Sequence, residues 1–186
     1  EILFNRAQCY LLLKNYKQVL VELMNLPDSL NQYFNDKRNF YLAINYFGLE
    51  QFQDAEKHFL LLIDENDITS REKIKKLFSK KRNLYRPNPK TAKTLSIILP
   101  GAGQLYAGDV KNSLNSLLLT SGFVALGVVI WQEYTGLDAI LTSLPWFLRY
   151  HQGGYIKAYK IAYIKRAKRR NKTYKEVLEV IKEQKN

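Results

Sequence analysis

Between Lys111 and Glu133 the chain runs for 21 residues without a charge, as NSLNSLLLTSGFVALGVVIWQ over positions 112–132. A helix needs about 20 apolar residues to cross the hydrocarbon core of a bilayer. The other uncharged runs, 15 residues at 94–108 and 10 at 139–148, are too short. Leu, Val and Ile alternate here with Ser, Thr and Gly, small residues that let membrane helices pack closely. Trp131, Tyr134 and Trp146 are placed as interfacial anchors. The competing reading is a buried helix in a soluble core, kept open by Asn112, Asn115, Ser116, Thr120 and Ser121.

Charge favours the bilayer. The net charge is +12, but residues 1–70 hold 6 basic and 10 acidic side chains, and 94–148 hold 1 and 3. The excess sits in 71–93, with 10 basic and 1 acidic, and in 149–186, with 12 and 3. Basic flanks around an apolar block fit the positive-inside bias better than the single charged face of a plain nucleic-acid binder. A single crossing would put the two basic flanks on opposite sides, so a hairpin is expected. Either 94–108 enters and 112–132 returns, broken at Pro100-Gly101, or 112–132 goes out and 137–164 comes back. The second is preferred because its outer loop, 131–138, carries Glu133 and Asp138 and no basic residue. It sets Arg149 and His151, with Lys157, at membrane depth, where they must face protein or water. Segment 94–108 would then lie partly in the interface.

The front of the chain repeats itself. A shift of 36 positions aligns Ala7 with Ala43, Tyr10 with Tyr46, Tyr16 with Phe52, Val19 with Ala55, Leu23 with Phe59 and Leu26 with Leu62. Small residues meet small or slim ones and aromatics meet aromatics. Over residues 2–67 this resembles the tetratricopeptide (TPR) repeat, whose period is about 34, stretched by a loop at 27–32. The resemblance implies paired helices held close at Ala7, Ala43 and Ala55. Tyr10, Tyr16, Tyr46, Phe52 and Phe59 would then belong to the partner-binding repeats. A following helix, 71–81 with Thr69 or Ser70 as its cap, would pack Ile74, Leu77 and Phe78 on the second repeat. Two repeats rarely suffice alone, so further ones could lie upstream. The chain opens on Glu1 rather than Met, which fits either a cleaved signal peptide or a further upstream part. One Cys excludes a disulfide framework and, with two His, leaves little for a zinc site. Cys9 reads as a small buried hydrophobe, and His58 as a surface or half-buried helix residue.

The most distinctive run is LPGAGQLYAGD at 99–109. Its glycines match neither the dinucleotide fingerprint nor a Walker loop, and no Lys-Ser/Thr follows Gly108. A helix break is expected instead, built on Pro100, Gly101, Gly103, Gln104, Tyr106 and Gly108. Gln104 would satisfy freed backbone groups and Tyr106 would anchor at the interface. The PGxGQxYxG pattern, the helix after it and the closing stretch from Tyr150 to Ala158 resemble a family of small helical bacterial membrane domains. Relatives often carry TPR repeats in front, and some are associated with the membrane protein insertion efficiency factor. That resemblance covers residues 90–165 and implies architecture and setting more than activity. The cysteine-containing signature of the insertion factor itself is absent.

Beyond the motif, Asn88-Pro89 reads as a helix start and Gly153-Gly154 as another. Tyr155, Tyr159 and Tyr163 make a stripe for packing or an interface. Lys165, Arg166, Lys168, Arg169 and Arg170 form a cluster suited to anionic lipid or phosphate. Thr173 to Glu176 reads as a capping box for a last amphipathic helix bearing Val177, Val180 and Ile181. The expected fold is all-α: TPR-like hairpins with a closing helix (1–83), a basic linker (84–93), a membrane helical hairpin (94–165), and a juxtamembrane segment with an amphipathic helix (166–186). No catalytic set, metal cluster or cofactor motif stands at convincing spacing. The expected role is a non-enzymatic scaffold in the bacterial inner membrane, one subunit of a hetero-complex, with repeats facing the cytoplasm by charge bias. It would recruit a protein partner, meet anionic lipid and leave nucleic acid alone. The rival is a soluble basic protein binding RNA or the ribosome.

Overall fold

In the computed structural model, which describes residues 1–27 and 29–184, helices α1 (Ile2–Leu12) and α2 (Tyr16–Met24) close one hairpin. Helices α3 (Gln32–Gly48) and α4 (Phe52–Leu60) close a second. Asp28, in the loop expected at 27–32, lies outside the described residues. The 36-residue period is written into the backbone of the two hairpin turns. Lys14 and Glu50 both take left-handed angles, φ 57° and 65°. The next amide in each turn reaches back five residues, Asn15 N to Tyr10 O and Gln51 N to Tyr46 O, both 2.9 Å. A left-handed non-glycine residue costs about 1–2 kcal/mol, so finding it twice at the same register marks a common geometry.

Each hairpin buries its small residues. Ala7 and Val19 pack with Phe4, Leu23 and Tyr41 in one core, and Ala43 and Ala55 with Phe52, Phe59 and Ile63 in another. Arg6 bridges from α1 to the buried Glu22 of α2 at 2.8 Å, so that carboxylate is not left alone in the interior. Cys9, expected inside, is exposed. Phe4 and Ala7 take the inner face of α1, and Cys9 falls on the outer one. His58 is half-buried, with Nδ1 3.1 Å from Asn39 Oδ1 and its ring stacked on Tyr46.

Helix α5 (Ile68–Ser79) starts three residues earlier than expected. Its cap is Asp67, which accepts from Ser70 N at 3.0 Å, while Ser70 itself is buried in the first turn. Hydrogen bonds from Ser70, then Gln184, hold the Asp67 carboxyl below its usual range. Ile74 and Phe78 enter the second core, and Leu77 packs partly against it.

Past α6 (Lys81–Tyr85), the expected linker is folded. Asn88 caps α7 (Pro89–Ile98), accepting from Lys90 N and Thr91 N, and Ala92 is buried. Short α8 (Ala102–Tyr106) and long α9 (Val110–Glu133) follow, then α10 (Gly136–Glu183). Helix α10 overturns two expected starts, at Gly153-Gly154 and at Thr173. A glycine inside a helix costs only about 1 kcal/mol, and nothing after residue 154 removes an amide or requires a positive φ. The helix therefore runs on.

Among the described residues there are ten helices and no strand, so the fold is all-α. Two units result, Glu1–Leu84 with the chain from Lys172 onward, and Tyr85–Asn171. The amphipathic end of α10 is thus no separate segment. Val177, Val180 and Ile181 complete the core of Phe59, Ile74, Phe78 and Leu84.

Two measurements check this packing. Ile181→Ala should lower the stability of the first unit by about 2–5 kcal/mol, read by thermal denaturation of the full chain, whereas Lys175→Ala on the exposed face should be neutral. Burial is the main cause holding the His58 pKa below its ordinary 6.5. The folded chain therefore prefers the neutral ring, and its contribution is complete above that pH. It should fade as pH falls below about 6.5 toward the depressed folded value, and His58→Gln should remove this acid limb from the melting profile.

Candidate functional site

The second unit is built on a hairpin. Asp109 caps α9 by accepting from Asn112 N at 3.1 Å and from Asn112 Nδ2 at 2.8 Å. These bonds, aided by Lys165 and Lys157, hold its carboxyl below the usual range. The turn after α9 is only Tyr134–Thr135, not the longer loop expected at 131–138. It is closed by a reciprocal capping box that pattern reading missed. Asp138 N donates to Thr135 Oγ1 at 3.2 Å, and Thr135 N and Oγ1 donate back to Asp138 Oδ2.

Helix α10 then runs back along α9, so the partner of 112–132 is the later segment and not 94–108. Phe123 stacks on Trp146 and Tyr150, with centroids 6.4 and 5.2 Å apart. Gly127 makes room for Ser143, whose Oγ would lie 2.7 Å from any Cβ at that position. An apolar groove of about 430 Å3 lies between them, lined by Phe123, Gly127, Trp131, Ala139, Ser143 and Phe147 among others. Trp146 corrects the sequence reading. Facing Phe123, it sits about 17 Å from the turn at 1.5 Å per residue, halfway along the hairpin and not at an end. Pro145 lies within the same helix.

Among the described residues, α9 alone is long and apolar enough to cross a membrane, and only 6 % of its apolar window is buried. Leu114, Leu118, Val124 and Val129 point away from the chain. It is therefore not the buried core helix that its polar residues left open. Two of those residues close their hydroxyls on the helix itself. Thr120 Oγ1 donates to Ser116 O at 2.7 Å and Ser121 Oγ to Leu117 O at 2.8 Å. On α10, Ser143 Oγ bonds Ala139 O at 2.6 Å. Helix α10 lacks a comparable window because Arg149, His151, Lys157 and Lys160 interrupt it.

The break at Pro100-Gly101 separates α7 from α8, and its glycines are each required by geometry. Gly101 has φ +90°, and a Cβ there would meet the Ser113 carbonyl oxygen at 2.5 Å. A Cβ on Gly103 would lie 1.8 Å from Ala92 O, far inside van der Waals contact. Gly108 has φ +76° at the end of the motif. Gln104, fully buried, accepts from Ser96 Oγ at 2.8 Å and donates through Nε2 to Gly154 O at 2.9 Å. Ser96 Oγ in turn accepts from Gly103 N at 2.9 Å. Gln104 thus satisfies a carbonyl of α10, not the groups freed by Pro100. Tyr106, expected at the interface, instead fixes the chain before α7, its hydroxyl accepting from Arg86 Nη1 at 3.0 Å and Asn88 N at 3.1 Å.

Below this hub lies a polar cavity of about 340 Å3 lined by Gln104, Asn112, Asn115, Ser116, Leu119, Arg149, Tyr150, Gly153, Gly154 and Lys157. Arg149 therefore faces a polar space. His151 does not line it; its ring stacks on Phe147 and meets Tyr155 edge-on, 5.5 and 5.8 Å away. Two of the five cations expected to meet lipid or phosphate are internal ties. Lys165 Nζ donates to Gly108 O at 2.7 Å and Arg169 Nη1 to Arg86 O at 3.2 Å. Lys168 is exposed, and Arg166 and Arg170 are engaged within the chain. The expected partner-binding aromatics are also structural. Phe52 and Phe59 are core, Tyr46 packs on that core, Tyr10 packs on the first one, and Tyr16 lies against Gly48. Among the described residues no group of His, Cys, Asp and Glu is placed to hold a metal ion.

Comparison with protein-family models, curated proteins and solved structures finds no match to this chain.

Glycine replacements separate required positions from free ones. Gly103→Ala should prevent correct assembly, because the obstruction is backbone that cannot move aside. Gly153→Ala has open space around it and should be neutral or stabilising by up to about 1 kcal/mol. Gln104→Leu should cost about 1–3 kcal/mol by stranding buried polar groups. Monodispersity and thermal midpoint of the purified proteins read all three.

Proposed function

We propose that this chain is a membrane-anchored, non-enzymatic scaffold, with α9 and the first part of α10 forming a hairpin in the bilayer. The observation that carries this reading is the 24-residue α9, apolar and almost wholly uncovered. Exposed apolar surface costs roughly 25 cal/mol per Å2 in water, and lipid removes that cost. The hydroxyls closed on helix carbonyls suit a medium that offers no hydrogen bonds.

Depth fits as well. Counted from the turn at 1.5 Å per residue, Arg149 lies about 21 Å and Lys157 about 33 Å away. A hydrocarbon core of about 30 Å then brings Lys157 to the interface opposite the turn and leaves Arg149 about 9 Å inside it, where it faces the polar cavity. The exposed Lys168 adds attraction to anionic lipid, about 1 kcal/mol near the surface. On this reading both ends of the hairpin lie on one side, which the charge bias assigns to the cytoplasm of a bacterial inner membrane.

The repeats serve as the recruiting module. The 36-residue period and the two matching hairpin turns support a TPR-like unit that holds a protein partner in a hetero-complex. Because the repeat aromatics are spent on packing, partner contact falls to exposed residues such as Leu12, Met24 and Tyr33.

The full chain should remain with the membrane after carbonate washing, and release would reject the anchor. Leu118→Arg with Val124→Arg should abolish retention, since each charge at a helix centre costs about 2.5–3.5 kcal/mol. In a Cys9→Ser background, cysteines at Lys81 and Lys172 should label from one side and a cysteine at Thr135 from the other. Labelling of the first two from opposite sides would discard the hairpin.

A further inference from the structure

We infer that the polar cavity beside Gln104 holds the phosphate group of an anionic lipid, with Arg149 and Lys157 supplying charge and Asn115 and Ser116 hydrogen bonds. The inference deepens the membrane reading and rests on it.

The donor set comes first. Two cations and no carboxylate line the cavity. Asp109, the nearest acid along the chain, is not in the lining and is engaged with Asn112. Gln104 has spent its amide on Ser96 and Gly154, and Asn112 its amide on Asp109. Both therefore act as walls. The polar side chains that remain are Asn115, Ser116, Arg149, Tyr150 and Lys157, all able to donate to phosphate oxygens.

Ser116 points independently to a ligand. Its side chain is 8 % exposed, it lines the cavity, and its Oγ has no partner. Thr120 and Ser121 on the same helix close their hydroxyls on backbone carbonyls; Ser116 does not. Gly154 keeps that hydroxyl clear, since a Cβ there would lie 2.7 Å from it. A buried hydroxyl left without a bond is costly, and a phosphate oxygen in the cavity would accept from it.

Position selects the lipid over a free anion. Ser116 and Gly154 lie about 28 Å from the hairpin turn, just inside the opposite boundary of a hydrocarbon core of about 30 Å when the turn sits at the far interface, next to the layer that holds lipid phosphates.

The test uses the full chain purified in detergent and native mass spectrometry of retained phosphatidylglycerol. Arg149→Gln with Lys157→Gln should lower retention at least about tenfold, whereas Lys111→Gln with Lys160→Gln, equal in charge removed and outside the cavity lining, should change it less than about threefold. Arg149→Lys should restore part of the loss in the Arg149→Gln single variant. Both altered side chains are exposed, and unchanged helical circular dichroism confirms folding. Equal losses in the two double variants would overturn the site in favour of diffuse charge. Inorganic phosphate protecting the lipid-free protein as well as phosphatidylglycerol would overturn the headgroup and assign a soluble anion. If the unaltered chain leaves the membrane in carbonate, the anchor and the headgroup fall together. If it stays and all variants retain phosphatidylglycerol alike, the site alone falls.

Discussion

Gln104 is the group on which the 85–171 unit turns, because a buried carboxamide must find partners for both of its ends. Its oxygen takes the Ser96 hydroxyl of α7 and its nitrogen gives to Gly154 O of α10, so one side chain joins three helices. Everything near it is shaped to permit this. Gly103 lets α8 approach the α7 backbone, and Gly101 turns the chain under Ser113 at the start of α9. Ala92, Ala107, Ala158 and Ala162 keep the surrounding helices close. Lys165 and Arg169 repeat the device further along α10, tying it to the carbonyls of Gly108 and Arg86.

That hub also accounts for the direction of α9. Once α8 is fixed, Asp109 caps the next helix and sends its apolar length away from the hub, with α10 returning beside it. The hairpin has few internal means of hiding its surface. Its contacts are a stack of Phe123 with Trp146 and Tyr150, a small-residue approach at Gly127, and a tight capped turn. On the proposed reading, lipid supplies the missing cover, and the basic residues near the hub hold that end at the interface. The polar cavity sits where these two demands meet.

The sequence was most legible where periodicity was strong. The 36-residue register placed Ala7, Ala43 and Ala55 in cores, and Asn88-Pro89 announced α7 correctly. It was least legible where a long-range contact decided the outcome. Val177 and Ile181 had an evident apolar face, but nothing local said that it completes the core around Phe59 and Ile74. Ser96 and Gly154 gave no sign of being the partners of Gln104, since small residues in apolar runs are common in packed helices. Breakers were over-read: Gly153-Gly154 and Thr173 lie inside α10 because a weak propensity penalty yields to a continuous helix. Cations were over-read too. A basic cluster reads as a surface for lipid or phosphate, yet Lys165 and Arg169 are spent on carbonyls of their own chain.

The central claim is that α9 lies in lipid, and a depth profile along it tests that claim most directly. Spin labels placed singly from Asn112 to Thr135 in the full chain, reconstituted in phosphatidylglycerol and phosphatidylcholine vesicles, report accessibility to oxygen against a water-soluble nickel chelate. The account predicts greatest depth near Phe123 and Val124, falling toward water at Asn112 and at Thr135. Uniform access to the nickel chelate along the helix would contradict it.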